Sequence, residues 1–548
     1  MKEGTRRIFL WLLPSLAGVL LTLYPYLLTG VPYGTDQWGE LRNAEQILAH
    51  SPVALGVAPQ FDRSNIFWPG VSLLEVTFSL VFRVEPINSI PIVVAASSFL
   101  TTTLFYLIVE KLSKGSVAAS ISSLLLVGAS FYIISEASAS KQTLAFSFFM
   151  LGIFLAVCSS KFDWKTFSLF GIVSLALAIT HHVTTLILLA VLLSTSIVFA
   201  GIRIRYSSVK ISNPVSLALI VTLVTVFYFA FYASTGWYGL KLPIEAGTFL
   251  SLLSFGAVAV APVLYYSLSK PRSLVPIEEM IILVGGIVIF LVGTRTHVIP
   301  LAPVLPSEII VFAIPYFVVG FLSLIGHRVM QARMSRTSFA FLASWVGAIV
   351  GLEGFAIFSG ITGSVVFVYR LFIFLYPGLA ALAGIALTSI FVLRKSGIKW
   401  MKPVVALTVL IIAGFGAYTS LSGVVGGNNI LGGHWSYQSS EMSGETWTKT
   451  YIPSGSVLSG DSTIFYLFND YAHVNMTSPA SLSLYAYLSG LTNSGRPALL
   501  ATYSLMSQDG FVTYTGYGLP LPGNWYGKLE NSTSVVYSNG NIVLWKSD

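Results

Sequence analysis

The sequence predicts an α-helical polytopic membrane protein with about 13 transmembrane helices and a C-terminal exterior α/β domain. Of its 548 residues, 55% are hydrophobic and only 9% are charged, whereas soluble domains carry about 25% charged residues. A soluble fold of this length would have too little polar surface to cover itself. Apolar runs of membrane-spanning length continue to about residue 420 and then stop. Together these observations exclude an ordinary soluble enzyme.

The net charge of +8 belongs to the membrane part of the chain. Residues 1–420 hold 26 Lys/Arg and 15 Asp/Glu (+11), and residues 421–548 hold 4 and 7 (−3). The basic excess therefore reports orientation in the membrane, and we expect no nucleic-acid partner. The one cysteine, Cys158, excludes a disulfide framework and any multi-cysteine metal site.

Thirteen apolar runs are predicted to span the membrane. The first follows Arg6 and Arg7, as in a signal peptide, but it is long and no small-residue cleavage site follows it, so it is predicted to stay as the first span. The runs are 8–28, 90–109, 116–134, 142–158, 167–180, 183–202, 214–234, 249–268, 279–293, 309–326, 338–358, 371–393 and 401–420.

A further apolar segment, 67–82, is interrupted by Pro69, Gly70 and Glu75. If it does not span, 19 Lys/Arg fall on the inner side, 7 on the outer side and 4 in the tail. Spanning would invert everything after it and place the basic clusters outside. We therefore predict an amphipathic helix on the outer surface, within an outer loop over 29–89. The N-terminus is then cytoplasmic, and the C-terminal domain is extracellular in a multi-pass protein of the plasma membrane.

The tail, 421–548, is predicted to be a separate exterior domain that follows a transmembrane domain over 1–420. It opens with a Gly/Asn/Ser-rich linker and then alternates strand-like and helix-like segments. Asn539-Gly540 predicts a hairpin turn near its end. Two glycosylation sequons, at Asn475 and Asn531, agree with an exterior location.

Polar residues are scarce, and the candidates for chemistry cluster at the predicted outer ends of the spans. Arginine forks bind phosphate oxygens in a bidentate manner, while a carboxylate deprotonates a hydroxyl or holds a divalent cation. The set therefore suits a reaction between a lipid-bound phosphate and an acceptor. Its members are Asp36, Glu40, Arg42, Glu136, Lys141, His181, His182, Arg295, His297, Glu308 and Arg370.

Structural explanations compete with these roles. Asp36 could cap a helix, and Glu136 and Lys141 could form a solvated loop pair. His181 and His182 would point about 100° apart on one helix, which disfavours a metal shared by the pair alone.

The first-loop motif Asp36-Gln-Trp-Gly-Glu-Leu-Arg-Asn-Ala-Glu-Gln-Ile-Leu48 resembles that of the GT-C superfamily of integral-membrane glycosyltransferases. The thirteen spans, long first outer loop and exterior tail are similar to the catalytic subunit of oligosaccharyltransferase. Phe67-Trp-Pro-Gly70 and Lys141-Gln-Thr-Leu-Ala-Phe146 also resemble GT-C segments, and Thr180-His-His-Val-Thr184 is similar to a pattern of archaeal members.

The resemblance implies roles at matching positions. Asp36 would be catalytic and, with a pyrophosphate donor, a metal ligand. Glu136 would occupy the second acidic motif, and Glu308 the end of a loop that carries a functional glutamate. Arg370 would bind the donor phosphate, in the context Val-Tyr-Arg-Leu-Phe. The implied metal set is Asp36, Glu136 and Glu308, holding Mg²⁺ or Mn²⁺, with no cofactor if the donor is a monophosphate.

The sequence departs from the family at two points. The usual pair of acidic residues in the second motif is reduced to Glu136, and the WWDYG acceptor motif of oligosaccharyltransferases is missing. The nearest text in the tail is Val457-Leu-Ser-Gly-Asp-Ser462. This departure favours a simpler transferase with another acceptor over sequon glycosylation.

The leading hypothesis is an inverting glycosyltransferase that moves a hexosyl or oligosaccharyl group from a polyprenyl-phosphate donor to a glycan or protein acceptor, with membrane lipid around it. Lys141, Arg295 and Arg370 would bind the donor phosphate. Glu40, Arg42, His181, His182 and His297 would line the substrate cavity. The alternatives are a transporter or flippase for a lipid-linked substrate and a non-catalytic accessory subunit of a glycosylation complex. Transporters usually place ionisable groups near the bilayer midplane and show repeated, broken helices.

Overall fold

In the computed structural model, the structure describes residues 3–50, 67–159, 163–206, 214–231, 246–269, 277–296, 307, 309–358, 364–392, 401–425, 436–478, 482–492, 496–513 and 518–547. Up to residue 425 these ranges are almost entirely helical. Beyond it, short helices alternate with strands.

Sixteen helices precede the tail in the described part of the chain. They are α1 (Glu3–Thr29), α2 (Gln37–Ala49), α3 (Gly70–Phe82), α4 (Pro86–Ser113), α5 (Ser116–Val127), α6 (Ser130–Ala137), α7 (Lys141–Cys158), α8 (Trp164–Thr180), α9 (His182–Arg205), α10 (Pro214–Phe231), α11 (Ala246–Leu268), α12 (Ile277–Gly293), α13 (Ile309–Arg333), α14 (Arg336–Phe358), α15 (Ser364–Val392) and α16 (Met401–Val425).

These helices confirm a multi-pass membrane protein. Among the described residues, nine helices are long and apolar enough to cross a membrane: α1, α4, α7, α9, α11, α13, α14, α15 and α16. The bent pair α5–α6 and the shorter apolar helices α8, α10 and α12 lie at the four remaining predicted spans. Each of the thirteen predicted runs therefore coincides with a helix or with this bent pair.

The run 116–134, which is predicted as one span, is not a single straight helix. It divides into α5 and α6, which are bent by 69°. At the break, a Cβ on Gly128 would lie 2.6 Å from the carbonyl oxygen of Ala413, so the backbone of α16 passes directly against this glycine. A side chain at Gly128 would prevent that approach, and the interruption of the helix accommodates it.

The chain forms two compact units. The first contains residues 1–21, 96–135 and 142–419. Its core is apolar and aromatic, with Phe149 and Phe374 packed edge to face at 5.1 Å and the buried Trp345 donating to the carbonyl of Phe374 at 3.0 Å.

The second unit joins residues 22–95, 136–141 and 420–548. It therefore combines the first outer loop and the short Glu136–Lys141 segment with the tail. Its buried core includes Trp38 and Leu41 of α2 and Ala139, together with Leu467 and Trp545 of the tail.

The tail has the predicted α/β character. Its larger sheet joins β1 (Leu458–Ser459), β2 (Leu499–Tyr503), β6 (Ile542–Ser547) and β5 (Thr533–Ser538) in that order. Strands β1 and β2 are parallel, and the other pairs are antiparallel. The hairpin predicted at Asn539-Gly540 is present, and Gly540 has a φ of 89°. The tail elements are α17 (Ser439–Tyr451), β1 (Leu458–Ser459), α18 (Ser462–Phe465), a π-helical turn (Tyr466–Tyr471), α19 (Ser483–Leu488), β2 (Leu499–Tyr503), α20 (Met506–Asp509), β3 (Phe511–Val512), β4 (Gly518–Leu519), α21 (Trp525–Glu530), β5 (Thr533–Ser538) and β6 (Ile542–Ser547).

The segment 67–82 forms α3, whose two faces differ in polarity. Its buried face carries Ser72, Glu75 and Ser79. Its exposed residues are mostly apolar and include Leu80 (64% exposed) and Phe82 (54% exposed), although Thr77 is exposed as well. Buried polar groups on one side and mostly apolar exposed residues on the other suit a helix lying against lipid.

Candidate active site

Asp36 immediately precedes α2, at the N-cap position. Its side chain is exposed and makes no capping hydrogen bond to the first turn. The capping explanation for this aspartate therefore fails. Trp38 and Leu41 follow on the buried side of α2 and are fully inaccessible, which fixes the helix next to the exposed side chain of Asp36.

The loop before Asp36 packs against the segment that follows Glu136. Gly34 has a φ of 103°, and a Cβ there would lie 2.5 Å from the hydroxyl oxygen of Ser138. Only glycine fits this combination of backbone angle and close approach. The two acidic motifs predicted from the sequence therefore come together in one unit, with Gly34 two residues before Asp36 and Ser138 two residues after Glu136.

Glu136 lies at the end of α6 and is fully buried. Among the described residues, neither of its carboxyl oxygens has a hydrogen-bond partner. A buried carboxyl group without a partner is costly and calls for a proton, an ion or a ligand.

The same two segments meet again at an ion pair. The Lys141 ammonium is 3.4 Å from Glu40 Oε1, and the Glu40 carboxylate is 1% exposed. Ser72 of α3 donates to the other oxygen, Glu40 Oε2, at 2.7 Å. The Lys141 ammonium also lies 5.7 Å from the centroid of the Trp68 ring. Glu40, which is predicted to line the substrate cavity, is thus a buried group that pairs with Lys141.

Two further acids, Glu75 and Glu45, complete this region and were not among the predicted site residues. Glu75 is fully buried, and neither of its oxygens has a partner within the described ranges. Burial, together with the nearby carboxylates of Glu40 and Glu45, raises the pKa of Glu75 well above its usual value. Burial also raises the pKa of Glu45, against the hydrogen bond from Tyr471. The sequence did carry a signal, because Glu75 interrupts an otherwise apolar run.

Helix α2 is held to the tail by polar contacts. Arg42 donates to the backbone oxygens of Asn469 and Asp470 at 3.4 and 3.3 Å, and Tyr471 donates to Glu45 at 3.1 Å. All three partners lie in the π-helical turn, a geometry often found at functional sites. Arg42, predicted to line the cavity, therefore contacts the tail backbone.

Asp461 lies in the tail segment whose sequence is most similar to the missing acceptor motif, and it has a structural role. It is fully buried. Its carboxylate accepts from the amide of Ile464 at 3.1 Å, the hydroxyl of Tyr503 at 2.9 Å and the amide of Val512 at 3.2 Å. These contacts cap α18 and tie it to β2 and β3.

The remaining predicted site residues that the structure describes lie in the first unit. His181 is buried between α8 and α9, and its Nδ1 is 2.7 Å from the hydroxyl of Thr184. The rings of His181 and His182 are 5.5 Å apart. Arg295 is exposed just after α12, and Arg370 is partly exposed in α15. His297 and Glu308 lie outside the described residues.

The predicted metal set is represented by Asp36 and Glu136 only. Glu136, with its unpartnered oxygens, has the chemistry of a ligand for a hard cation. Within the described ranges, no group of three or more His, Cys, Asp or Glu side chains is placed to hold a metal ion. A site including Glu308 stays a prediction.

No family model and no curated protein matches the sequence. Solved structures do match the fold. An apo oligosaccharyltransferase of Archaeoglobus fulgidus matches with a TM-score of 0.59 at 12% identity, over 100% of this chain and 75% of that chain. ArnT from Cupriavidus metallidurans, bound to undecaprenyl phosphate, matches with a TM-score of 0.51 at 13% identity, over 100% and 98%. This chain therefore has a GT-C-like fold, with an architecture similar to the oligosaccharyltransferase.

Proposed function

We propose that the protein is a membrane glycosyltransferase that moves a sugar from a polyprenyl-phosphate donor to an acceptor on the outer face of the membrane. The observation that carries this proposal is the convergence of the two acidic motifs in the second unit. They meet where Gly34 packs on Ser138 and where Glu40 pairs with Lys141. The GT-C-like fold supports the same class of reaction.

Two observations support a polyprenyl-phosphate donor. ArnT, whose fold this chain shares, is bound to undecaprenyl phosphate, and the Lys141 ammonium is a cation suited to a phosphate oxygen. Arg370 and Arg295 are proposed as further phosphate ligands, because guanidinium groups bind phosphate in a bidentate manner. His181, His182 and His297 are proposed to line the cavity for the sugar or the acceptor.

The reaction is a single displacement. Asp36 accepts the proton of the acceptor hydroxyl, whose oxygen attacks the anomeric carbon while the bond from that carbon to the phosphate oxygen breaks. The polyprenyl phosphate leaves with the bonding electron pair, neutralised by Lys141. The configuration at the anomeric carbon is inverted. General-base catalysis of this kind contributes about 10²–10⁴-fold to the rate.

A metal ion is part of the proposed reaction only if the donor is a pyrophosphate. In that case Asp36 and Glu136 would supply oxygen ligands for Mg²⁺ or Mn²⁺, and the ion would supply positive charge for the leaving group. With a monophosphate donor, Lys141 and the proposed arginines suffice, and Glu136 holds a proton.

The acceptor is proposed to be a glycan, or a protein at a site other than the sequon of oligosaccharyltransferases. The structural role of Asp461 supports this, since it leaves the tail without an acidic acceptor contact at that position. The tail is proposed to be extracellular and the N-terminus cytoplasmic. The exposure of both sequon residues, Asn475 and Asn531, agrees with that orientation.

The test is a transfer assay in lipid nanodiscs. Purified protein receives a panel of radiolabelled polyprenyl-phosphate and polyprenyl-pyrophosphate sugars, with Mn²⁺ or with EDTA, beside an Asp36→Ala variant. We expect release of label from the lipid in the wild type and a loss of at least about 100-fold in the variant. Sensitivity to EDTA assigns the pyrophosphate reaction, and insensitivity assigns the monophosphate reaction.

Two outcomes reject the proposal. Movement of labelled donor between leaflets without cleavage would identify the flippase alternative. Donor binding without turnover for any sugar, even when the other proteins of a glycosylation complex are added back, would identify an accessory subunit.

A further inference from the structure

The buried face of α3 places a second acid beside the lysine-holding carboxylate. Ser72 and Glu75 are three residues apart, on one side of the helix, and both are fully buried. Ser72 donates to Glu40 Oε2 at 2.7 Å. Glu40 and Glu45, both on α2, are the charged groups that, with burial, raise the pKa of Glu75.

The three carboxyl groups in this region differ in the partners that compensate them. Glu40 is paired with Lys141 at 3.4 Å, and Glu45 accepts a hydrogen bond from Tyr471 at 3.1 Å. Glu75 has no such compensation from the described residues, because both of its oxygens are buried without a hydrogen-bond partner. A carboxylate in this position would be strongly disfavoured, whereas a neutral carboxylic acid is tolerated.

We propose that Glu75 is a positioning residue for the donor-phosphate site, which as an uncharged acid limits the negative charge around Lys141 and allows its ammonium to exchange Glu40 for an incoming phosphate. This inference rests on the proposed function. Ionisation of Glu75 would put a second buried carboxylate next to Glu40, hold Lys141 more tightly and weaken phosphate binding.

Phosphate binding and proton binding are then coupled. If a phosphate binds only when Glu75 is neutral, then above the pKa of Glu75 in the unliganded protein each binding event takes up one proton. By linkage, the Kd for phosphate then rises by up to about tenfold per pH unit. The ligand does not contribute this slope above pH 7, since the second pKa of a phosphate monoester is about 6.

The experiment measures binding of farnesyl phosphate, a short polyprenyl phosphate, to the full chain in nanodiscs between pH 7 and pH 9. Titration calorimetry at pH 8.5 in two buffers of different ionisation enthalpy counts the protons taken up. In the wild type we expect the Kd to rise with pH as Glu75 ionises in the unliganded protein, with an uptake of up to one proton per phosphate bound. In Glu75→Gln, a permanently neutral isostere, we expect no proton uptake and a Kd that does not depend on pH.

The matched control is Glu353→Gln. Glu353 is also a largely buried acid with an unpartnered oxygen, but it lies in α14 of the first unit. This variant should keep the wild-type proton uptake. Proton uptake in the wild type is measured without any substitution, so the inference remains testable if Glu75→Gln fails to fold.

The outcomes separate the inference from the proposed function. Binding without proton uptake in the wild type, or unchanged uptake in Glu75→Gln, overturns the inference even if sugar transfer is observed. Absence of sugar transfer, together with proton-linked phosphate binding that Glu75→Gln abolishes, overturns the proposed function and leaves the phosphate site in place.

Discussion

Asp36 and Asp461 show how two aspartates in one unit come to have different tasks. Asp36 stands at the start of α2 with an exposed carboxylate that caps nothing. Asp461 is fully buried and accepts three hydrogen bonds, one of them from the hydroxyl of Tyr503. Burial and hydrogen bonding thus assign Asp461 to the fold, whereas the exposure of Asp36 is compatible with the catalytic role proposed for it.

Asp461→Ala is expected to destabilise the tail by about 2–4 kcal/mol, because it leaves buried donors without an acceptor. Limited proteolysis of the purified full chain should cut the tail of this variant more rapidly than that of the wild type. Asp36→Ala serves as the comparison and should be cut at the wild-type rate. Equal resistance of Asp461→Ala and wild type would show that Asp461 does not hold the tail together.

Glu75 is expected to make stability depend on pH. Its pKa is well above the usual 4.5 in the folded protein, so above about pH 4.5 the native state holds a proton that the unfolded state has lost. Stability is therefore greatest at low pH and falls as pH rises, by up to about 1.4 kcal/mol per unit. Thermal unfolding at pH 5, 6 and 7 should show this slope in the wild type.

The slope should be absent in Glu75→Gln, which carries no titrating proton. Glu530→Gln, a substitution at an exposed residue of the tail, controls for the change of one charge and should keep the slope. Parallel pH dependence in the wild type and Glu75→Gln would contradict the assignment of a proton to Glu75.

At the scale of elements, the approach of the first loop to the Glu136–Lys141 segment depends on Gly34. Gly34→Ala combines a positive φ with a clash against Ser138 and should cost about 1–3 kcal/mol. Since misplacement by about 1 Å costs about 100-fold in rate, turnover should fall by that order.

Gly30→Ala is the matched control for this substitution. Gly30 also has a positive φ, 69°, but a Cβ there meets nothing within 4 Å. Gly30→Ala should lose only the stability that the strained backbone angle costs, and its turnover should stay at the wild-type rate. Equal turnover of the two variants would show that the contact between Gly34 and Ser138 does not shape the active site.

Helix α3 is expected to lie against lipid through its apolar face. The chain has one native cysteine, Cys158, so single cysteines can be introduced in a Cys158→Ser background. Leu80→Cys should react with a lipid-soluble maleimide and only slowly with a water-soluble, membrane-impermeant one. Ser443→Cys, at an exposed residue of α17, should react rapidly with the impermeant reagent in intact cells. Similar rates at Leu80→Cys and Ser443→Cys would place α3 in water.

At the scale of the whole molecule, apolar runs and the distribution of Lys and Arg were sufficient to predict the fold class. The hairpin at Asn539-Gly540 was also predictable, because its signal is local. The break between α5 and α6 was not, since it lies where Ala413, far along the chain, packs on Gly128. The place of Glu75 in the site was not predictable for the same reason, because the charged groups that act on it, Glu40 and Glu45, are supplied by another helix.

Some features of the candidate site were likewise predictable from the sequence, and others were not. Asp36, Glu136 and Lys141 were predicted to lie in one region, and the structure places them in one compact unit. The contacts of Arg42 with the tail backbone and the burial of Glu40 could not be predicted, because a charged residue on a short helix is compatible with a cavity, a tertiary contact or solvent.

If Asp36 is the catalytic base, its substitution should stop transfer from a lipid-linked donor without disturbing the fold. Donor binding and single-turnover transfer are therefore measured for the wild type and Asp36→Asn in the same nanodiscs. We expect the Kd for the donor to change by less than about threefold, while the transfer rate falls by at least about 100-fold. Transfer at the wild-type rate by Asp36→Asn would exclude this role for Asp36.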